Sequence, residues 1–259
     1  MSGQPLTILL TNDDGVQASG LAALRDMLAP LGHVVVVAPE RDNSAVSHAM
    51  TMGRPLRLQD LGGGRFAVDG TPTDCVIIGL GRVLTEKPAL LVSGINRGAN
   101  LGDDIAYSGT VSAAIEATMY GVPAMAVSMG LFVGLLGETP AYERAAAVVC
   151  ALAAKILGGG LPENTLVNVN FPPGGLYKGV RLTRQGRRLW ENSIKEVSDP
   201  WGETRYWIGG GRFRIESEDD TDVAAVSEGY VSVTPIHLDT TNHMALETLR
   251  RSWLVEELG

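Results

Sequence analysis

Two adjacent aspartates directly follow the first apolar run of the sequence. Residues 6–11 (LTILLT) predict a buried strand, and the segment TNDDG, with Asp13 and Asp14, comes straight after it. In an open parallel sheet, ligands bind beyond the carboxyl ends of the strands. Two neighbouring carboxylates repel each other there unless a cation lies beside them. The pair therefore indicates a metal site, with a polar turn as the structural alternative, because Asn, Asp and Gly all favour turns.

A second polar segment follows the next apolar run. Residues 33–38 (HVVVVA) predict another buried strand, and residues 39–51 (PERDNSAVSHAMT) come after it, at the same edge of the predicted sheet. Ser44, Ser47 and His48 offer neutral ligands or hydrogen-bonding groups, although the serines could equally cap a helix. We interpret His48 as a structural or substrate-side histidine rather than as a metal ligand.

A third segment, residues 93–100 (SGINRGAN), follows a further predicted strand. Asn96 and Asn100 supply amide oxygens, Arg97 supplies a cation, and the two glycines let the backbone approach a ligand closely. The Asp103-Asp104 pair lies further along the same loop. We interpret that pair as a solvated turn rather than as a second metal site, because nothing places it at the end of a strand.

A fourth segment, residues 107–111 (YSGTV), opens a predicted helix. Ser108 is a natural N-cap residue. The free N–H groups and the dipole at the first turn of a helix bind phosphate, and Gly109 leaves room for such a ligand. The segment therefore predicts the phosphate side of the site. The candidate ligands of the four segments are all oxygen donors, which favours Mg²⁺ or Mn²⁺ over Zn²⁺.

The apolar patterns around these segments predict an α/β fold. Strands that are continuously apolar alternate with helices, which is typical of a mostly parallel sheet covered on both faces. The predicted strands span residues 6–11, 33–38, 89–93, 124–128 and 166–170, and the predicted helices span residues 20–31, 74–80, 110–120 and 141–157.

The alternation of apolar strands and helices gives way after Pro172 to short β-like pieces. We assign residues 1–172 to the catalytic core and residues 173–259 to an extension with β-hairpins, in which residues 206–208 and 230–234 predict strands. We expect this extension to complete the core and to pack against a partner subunit.

Composition narrows the classes of protein. The chain has 259 residues, of which 45% are hydrophobic, and a net charge of −8. An acidic chain argues against a stable nucleic-acid partner, which would need a basic stripe. Two cysteines make no disulfide framework and suggest a reducing cytoplasm. Met1 to Thr7 lacks the pattern of a signal peptide, and no apolar run approaches the length of a membrane helix.

With these segments the chain resembles the SurE survival protein family of 5'/3'-nucleotidases. The resemblance is carried, in this order, by ILLTNDDGVQASGL, APERDNSAVSHAMT, GTPTDCV, SGINRGANLGDDIAYSGTVSAAIEA and GYVSVTPIHLD. It implies a Rossmann-like three-layer core with a C-terminal β-hairpin extension. It also implies a divalent-metal phosphatase that acts on nucleoside monophosphates, and a homodimer or homotetramer built partly by the C-terminal hairpins.

The family's functional residues carry over to matching positions of this sequence. The metal ligands that the resemblance implies are Asp13, Asp14, Ser44 and Asn96. The catalytic residues that we expect are Asp13, Asp14, Asn96 and Ser108. The substrate-binding residues that we expect are Asn12, Ser108, Gly109 and Thr110. His48 departs from the asparagine that we expect in many members of the family.

These residues suggest metal-assisted hydrolysis of a phosphate monoester. No residue stands out as the general acid: His48 is a weak candidate, and His237 and His243 are weaker. A receiver-like signalling module would need an acid at the end of the third parallel strand, where the sequence reads ALLVS. A phosphatase of the haloacid dehalogenase type spaces its two acids by one residue, whereas Asp13 and Asp14 are adjacent. A protein that binds nucleotides without turnover remains an alternative.

Overall fold

The first apolar run lies at the centre of a nine-stranded sheet in the computed structural model of the chain, which describes residues 6–130, 142–191, 194–208, 212–216 and 218–253. The N-terminal residues 1–5, on which the expected lack of a signal peptide partly rests, and Ala141, the predicted start of a helix, lie outside the described residues. The strand order is β3-β4-β2-β1-β5-β6-β7-β13-β8.

The strands and helices of the described residues have the following bounds. The strands are β1 Thr7–Thr11, β2 His33–Pro39, β3 Leu58–Gly62, β4 Arg65–Val68, β5 Leu90–Arg97, β6 Ala124–Met129, β7 Thr165–Phe171, β8 Val180–Leu182, β9 Arg187–Glu191, β10 Ile194–Ser198, β11 Thr204–Ile208, β12 Arg212–Glu216 and β13 Val231–His237. The helices are α1 Ser19–Leu28, α2 Pro72–Ile78, α3 Gly109–Met119, α4 Tyr142–Gly159, α5 Asp222–Ser227 and α6 His243–Ser252. Residues Gly102–Tyr107 form a 3-10 helix.

Most strands of the sheet run in parallel, as predicted. Strand β1 pairs in parallel with β2 on one side and with β5 on the other. The chain thus continues outward from β1 in one direction and later returns to its other side. Such a reversal of strand order opens a crevice at the carboxyl ends of the two strands, where α/β proteins bind ligands. The adjacent aspartates follow β1 at this crevice.

Helices cover both faces of the sheet and bury a separate apolar core on each. One core joins the sheet to α1 and α4 and includes the fully buried Leu24 and Val149. The other joins it to α2 and α3 and includes Val76 and Val111. The three-layer α/β fold expected from the sequence is therefore confirmed.

The bounds of several predicted elements differ from those of the structure, and two of the differences have a clear local cause. The predicted helix 74–80 begins at Pro72, because Thr71 and Asp74 form a capping box around its first turn. The predicted strand 89–93 continues as β5 to Arg97 after a register shift between Ser93 and Asn96. Asn96 therefore lies on a strand rather than in a loop. The β3–β4 hairpin and the helices α5 and α6 were not predicted.

The extension after residue 172 contributes to the central sheet as well as to hairpins. Strand β13 pairs antiparallel with β7 and parallel with β8, and its first four residues are buried. Strand β13, which includes most of the predicted strand 230–234, is thus an interior strand of the central sheet. The antiparallel pairs β10–β11 and β9–β12 lie outside the central sheet. None of the helices in the described residues is long and apolar enough to cross a membrane.

Asp222 joins the extension to the loop that precedes α3. Its carboxylate accepts hydrogen bonds from the N–H groups of Gly102, Gly186 and Val223 at 2.8 to 2.9 Å. The side chain is fully buried, and burial raises the pKa of the Asp222 carboxyl while the three N–H donors oppose the rise. The site-side loop is thus fastened to the extension through one buried acid.

We expect Asp222→Ala to lower the free energy of unfolding by about 3 kcal/mol, because three buried N–H groups lose their acceptor. Urea denaturation measures the change. Asp220→Ala is the matched control, since Asp220 lies two residues away and its exposed side chain pairs with Arg184 at the surface, where ion pairs contribute little. Equal losses in the two variants would contradict the role of Asp222.

Candidate active site at the carboxyl ends of β1 and β5

Asp13 is buried where β1 meets the first turn of α3. Its side chain is 3% exposed, and its Oδ1 accepts a hydrogen bond from the Thr110 hydroxyl at 2.5 Å. The backbone N–H of Thr110 also stabilises the carboxylate. Burial raises the pKa of Asp13 above its ordinary value, and the hydrogen bonds from Thr110 oppose that rise. A carboxylate is therefore held next to the positive end of the α3 dipole.

Asp14 lies beside Asp13 and faces the end of β5. Its Oδ2 accepts a hydrogen bond from the backbone N–H of Arg97 at 3.1 Å. Burial and the neighbouring charge of Asp13 raise the pKa of Asp14 to about 6, although the N–H group and the charge of Arg97 lower it. Two partly desolvated carboxylates that repel each other attract a cation strongly, because the cation offsets their repulsion.

The start of α3 is shaped around Asp13. Ser108 caps the helix, because its hydroxyl accepts the N–H of Val111 at 3.1 Å. A Cβ atom on Gly109 would lie 3.1 Å from Cγ of Pro72 and 3.2 Å from Cβ of Asp13, which is tighter than normal contact. We expected Gly109 to make room for a ligand. In the structure it first makes room for Asp13 and for the start of α2.

Two of the residues expected to bind substrate have other tasks in the structure. Asn12 is fully buried, and its side-chain amide exchanges two hydrogen bonds with the backbone of Gly15, at 2.9 and 3.2 Å. It braces the turn that carries Asp13 and Asp14. Thr110 is fully buried too, and its hydroxyl is committed to Asp13. Both residues therefore help to position the two acids, and their predicted contact with substrate stays a prediction.

Asn96 reaches the same edge from β5. Its side-chain nitrogen donates to the carbonyl of Gly98 at 2.9 Å, which orients the amide and leaves its oxygen available as a ligand. The backbone before Asn96 needs glycine, since Gly94 has φ 137° and a Cβ there would lie 2.3 Å from the carbonyl oxygen of Val127. This close packing of β5 on β6 fixes where Asn96 emerges.

The segment after β2 lies over the same crevice. The N–H of Asn43 donates to the carbonyl of Asp13 at 2.8 Å, and the N–H of Ser47 donates to the carbonyl of Tyr107 at 3.1 Å. Ser44 stands between these anchors and is exposed, with its hydroxyl donating to Asp42 Oδ1 at 2.5 Å. Together with the bonds of Arg97 to Asp14 and of Thr110 to Asp13, these contacts bring the four sequence segments to one crevice. The ligand set Asp13, Asp14, Ser44 and Asn96 stays a prediction.

The Asp103-Asp104 pair differs from the solvated turn that we expected. It lies in the 3-10 helix before α3, and the Asp104 side chain is 16% exposed and pairs with Arg188 at 2.5 Å. Asp103 accepts the backbone N–H of Arg188 at 3.0 Å. The pair therefore contacts the extension. Sequence patterns alone do not reveal this, because Arg188 is distant in the sequence.

Two residues near the site were missed by sequence reasoning. The charge of Asp42 contributes to the raised pKa of both Asp13 and Asp14, so a third acid faces this crevice. Tyr142 opens α4, and burial followed by the charge of Asp14 raises the pKa of its phenol. Asp42 lies within the segment 39–51 and could have been noticed as the acid that precedes Ser44 by two residues, whereas Tyr142 belongs to none of the four segments.

The donor set fits a hard divalent cation. Asp13 and Asp14 supply carboxylate oxygens with raised pKa values, Asn96 supplies an amide oxygen, and Ser44 supplies a hydroxyl. No group of three or more His, Cys, Asp or Glu side chains in the described residues could hold a metal. Two acids supplemented by neutral oxygens suit Mg²⁺ or Mn²⁺, which accept such ligands and retain waters.

Comparisons with known proteins point in one direction. The family model described as Survival protein SurE matches residues 8–192. The 5'-nucleotidase SurE of Syntrophotalea carbinolica is 54% identical over 249 residues, covering 95% of this chain and 97% of that protein. The 5'-nucleotidase SurE of Geobacter sulfurreducens is 49% identical over 250 residues, covering 96% and 94%.

A solved structure agrees with the sequence relatives. The crystal structure of SurE protein from Aquifex aeolicus superposes with a TM-score of 0.82 at 42% sequence identity, and the match covers 95% of this chain and 98% of that chain. The family model, the sequence relatives and the solved structure thus agree with one another, and the chain belongs to the SurE family.

Proposed function

We propose that this chain is a nucleotidase that hydrolyses nucleoside 5'- and 3'-monophosphates to nucleoside and phosphate. The observation that carries the proposal is the Asp13-Asp14 pair, held against the first turn of α3 at the reversal point of the sheet. Family relatives named 5'-nucleotidase SurE support it, at 49% to 54% identity over nearly the whole chain.

A divalent metal, Mg²⁺ or Mn²⁺, is part of this proposal. The residues that would hold it are Asp13, Asp14, Ser44 and Asn96. When bound, such an ion neutralises charge that develops on a phosphoryl group and makes water easier to deprotonate. Burial and, after it, the charge of Asp13 raise the pKa of Asp14 to about 6, and a bound cation would offset both effects, which supports the assignment.

The chain's own residues would bind and orient the phosphate. The first turn of α3 directs backbone N–H groups and a positive partial charge toward the crevice. Ser108 keeps a hydroxyl proton to donate while its oxygen accepts the N–H of Val111. Thr110 and Asn12 hold the acid-bearing turn rigid, and a rigid arrangement lowers the cost of orienting charges during reaction.

The three histidines considered as the general acid lie in different parts of the structure. His48 lies on the loop over the crevice, where its Nε2 is 2.7 Å from Glu116 Oε2. His237 and His243 lie at the end of β13 and on α6, where both contact Asp239 and no site residue. We therefore assign none of the three as the proton donor to the leaving oxygen.

The structure weighs against two of the rival functions. Strand β5, which contains the third strand predicted from the sequence, presents an amide and a backbone N–H at its end, so a receiver's phospho-acceptor aspartate has no counterpart there. The two acids remain adjacent, with Asp13 committed to α3 and Asp14 to β5, unlike the alternating pair of haloacid dehalogenases. A nucleotide-binding protein without turnover is separated from an enzyme only by measuring phosphate release.

We also propose that the chain forms a homodimer or homotetramer through the β10–β11 hairpin. Ile194 and Ile208 are opposite each other in this pair, and Tyr206 shares their face. Their exposed fractions are 64% to 88%. Exposed apolar side chains gathered on one face mark association surfaces, and we infer that a second copy of the chain covers this one. Substrate and a second copy are the partners we propose, and cytoplasmic location stays a prediction.

We expect phosphate release from nucleoside monophosphates with a higher kcat/KM than from glucose phosphate. The metal and the helix start address the phosphate that all monoesters share, so discrimination must come from the rest of the ligand. Apolar pocket contacts give only about 10–200-fold discrimination, and we expect preference rather than strict selectivity. A panel of 5'- and 3'-monophosphates, assayed with a chelator and then with added metal, measures both features.

In that panel, Mg²⁺ or Mn²⁺ should restore the activity that the chelator removes, because the donor set is all oxygen. Restoration by Zn²⁺ alone would show that the ligands are misassigned. Equal or better turnover of glucose phosphate would make a general phosphatase the right description. No phosphate release from any nucleotide would leave a binding protein without turnover.

We expect Asp13→Asn and Asp14→Asn each to lower kcat/KM by more than about 100-fold, the upper range for groups that only support a ligand. The unfolding midpoint should stay equal or rise, because each change removes one of two repelling buried charges. Asp26→Asn on α1, with an exposed side chain, is the control. Full activity in both site variants would remove the pair from the site.

We expect the chain to show the mass of at least two copies by light scattering. Replacing Tyr206 and Ile208 by serine should lower that mass toward one copy, since it removes the apolar face of the hairpin. Met52→Ser is the control, because Met52 is 82% exposed but lies outside the hairpin. A monodisperse monomer in the unmodified protein would refute the proposed assembly.

A further inference from the structure

The loop that carries Ser44 is fastened along its whole length. We call residues 40–51 the Ser44 loop. At its start the N–H of Glu40 donates to the carbonyl of Val68, and the N–H of Asn43 donates to the carbonyl of Asp13, both at 2.8 Å. Its far end is held by Thr51, whose N–H and hydroxyl both donate to the buried Asp74 carboxylate at 2.9 and 2.6 Å.

The middle of the Ser44 loop is held against α3 and the segment before it. Ser47 donates its N–H to the carbonyl of Tyr107 at 3.1 Å and its hydroxyl to the carbonyl of Ala106 at 2.7 Å. The next residue, His48, places Nε2 at 2.7 Å from Oε2 of Glu116. The side chain of Glu116 is 10% exposed and that of His48 is 35% exposed.

The backbone of the loop needs these anchors. Ala45 has φ 58° and Ser47 has φ 54°. Residues other than glycine rarely adopt this left-handed backbone conformation. Strained residues of this kind persist where the surrounding contacts over-determine them. Ser44 itself is exposed, and its hydrogen bonds go only to Asp42 of the same loop. Its position relative to Asp13 therefore depends on the anchors on either side.

Among these anchors, the His48–Glu116 contact is the one that joins the loop to a side chain of α3. Glu116 lies two turns into α3, the same helix whose first turn contacts Asp13 through Thr110. One rigid helix thus supports both the acid pair and the loop that faces it. Its seven-residue separation from Gly109 spans about 10 Å along the helix, so His48 bears on the loop rather than on a phosphate bound at the helix start.

We propose that His48 and Glu116 are a positioning pair that holds the Ser44 loop on α3 and so keeps the Ser44 hydroxyl within reach of a cation bound by Asp13 and Asp14. This inference rests on the proposed metal-dependent function and goes beyond it. It assigns a role to a histidine that the proposed reaction leaves unused. Residues that orient metal ligands from behind typically change metal affinity 10–100-fold when removed.

The test compares His48→Ala with His48→Gln in the full chain. We expect His48→Ala to weaken Mn²⁺ binding by about 10-fold in calorimetry and to speed hydrogen exchange in residues 40–51. Glutamine can still donate to Glu116 from a similar reach, so His48→Gln should recover most of the affinity and the protection. His243→Ala is the matched control, since His243 pairs with Asp239 at 2.8 Å on α6 and should leave both readouts unchanged.

Kinetics separate positioning from proton donation. If His48 positions the loop, His48→Ala should regain a kcat close to that of the unmodified protein at saturating Mn²⁺. A kcat that stays low at saturating metal would overturn positioning in favour of acid catalysis. Unchanged exchange in residues 40–51, or faster exchange with unchanged Mn²⁺ affinity, would also overturn it. Failure of the unmodified protein to bind Mn²⁺ would overturn the metal site itself, and this inference with it.

Discussion

The contact between the Asp13 carboxylate and the first turn of α3 determines the geometry of the whole crevice. Thr110 donates to Asp13 at 2.5 Å, and Gly109 allows the approach because a larger residue would collide with Asp13 and Pro72. This contact joins the central strand of the sheet to the helix layer at one point. The 3-10 helix, the loop after β2 and the end of β5 are all arranged around it.

That contact also explains why the site is electrostatically unbalanced. Burial raises the pKa of Asp13 and Asp14 together, and the nearby charge of Asp42 adds to the effect. A fold selected for stability alone would separate or pair these acids, since uncompensated buried charge is costly. Stability is recovered elsewhere, through apolar cores on both faces and through the buried Asp222 hub.

Much of the fold follows from sequence patterns, because continuous apolar strands and leucine-spaced helices encode local structure directly. Residue types also pointed to the acid pair and Asn96, which follow apolar runs, and to the start of α3, where Ser108 is a natural cap. Patterns did not reveal that Asn12 bonds to the backbone of Gly15, that Thr110 donates to Asp13, or that Arg188 pairs with Asp104. The last two of those outcomes depend on contacts between distant segments, and one sequence carries no periodic signal for them.

The late position of β13 shapes how the chain is made. On the side away from β6, β7 pairs with β13. In the chain, β13 comes after β8, two antiparallel strand pairs and α5. A nascent polypeptide that has just completed β7 therefore carries an open strand edge beside a nearly finished parallel sheet. At roughly 5–20 residues per second of translation, this edge stays open for seconds, and open edges are templates for aggregation. Until β13 is made, the unpaired edge of β7 is thus a point at which two nascent chains could pair with each other.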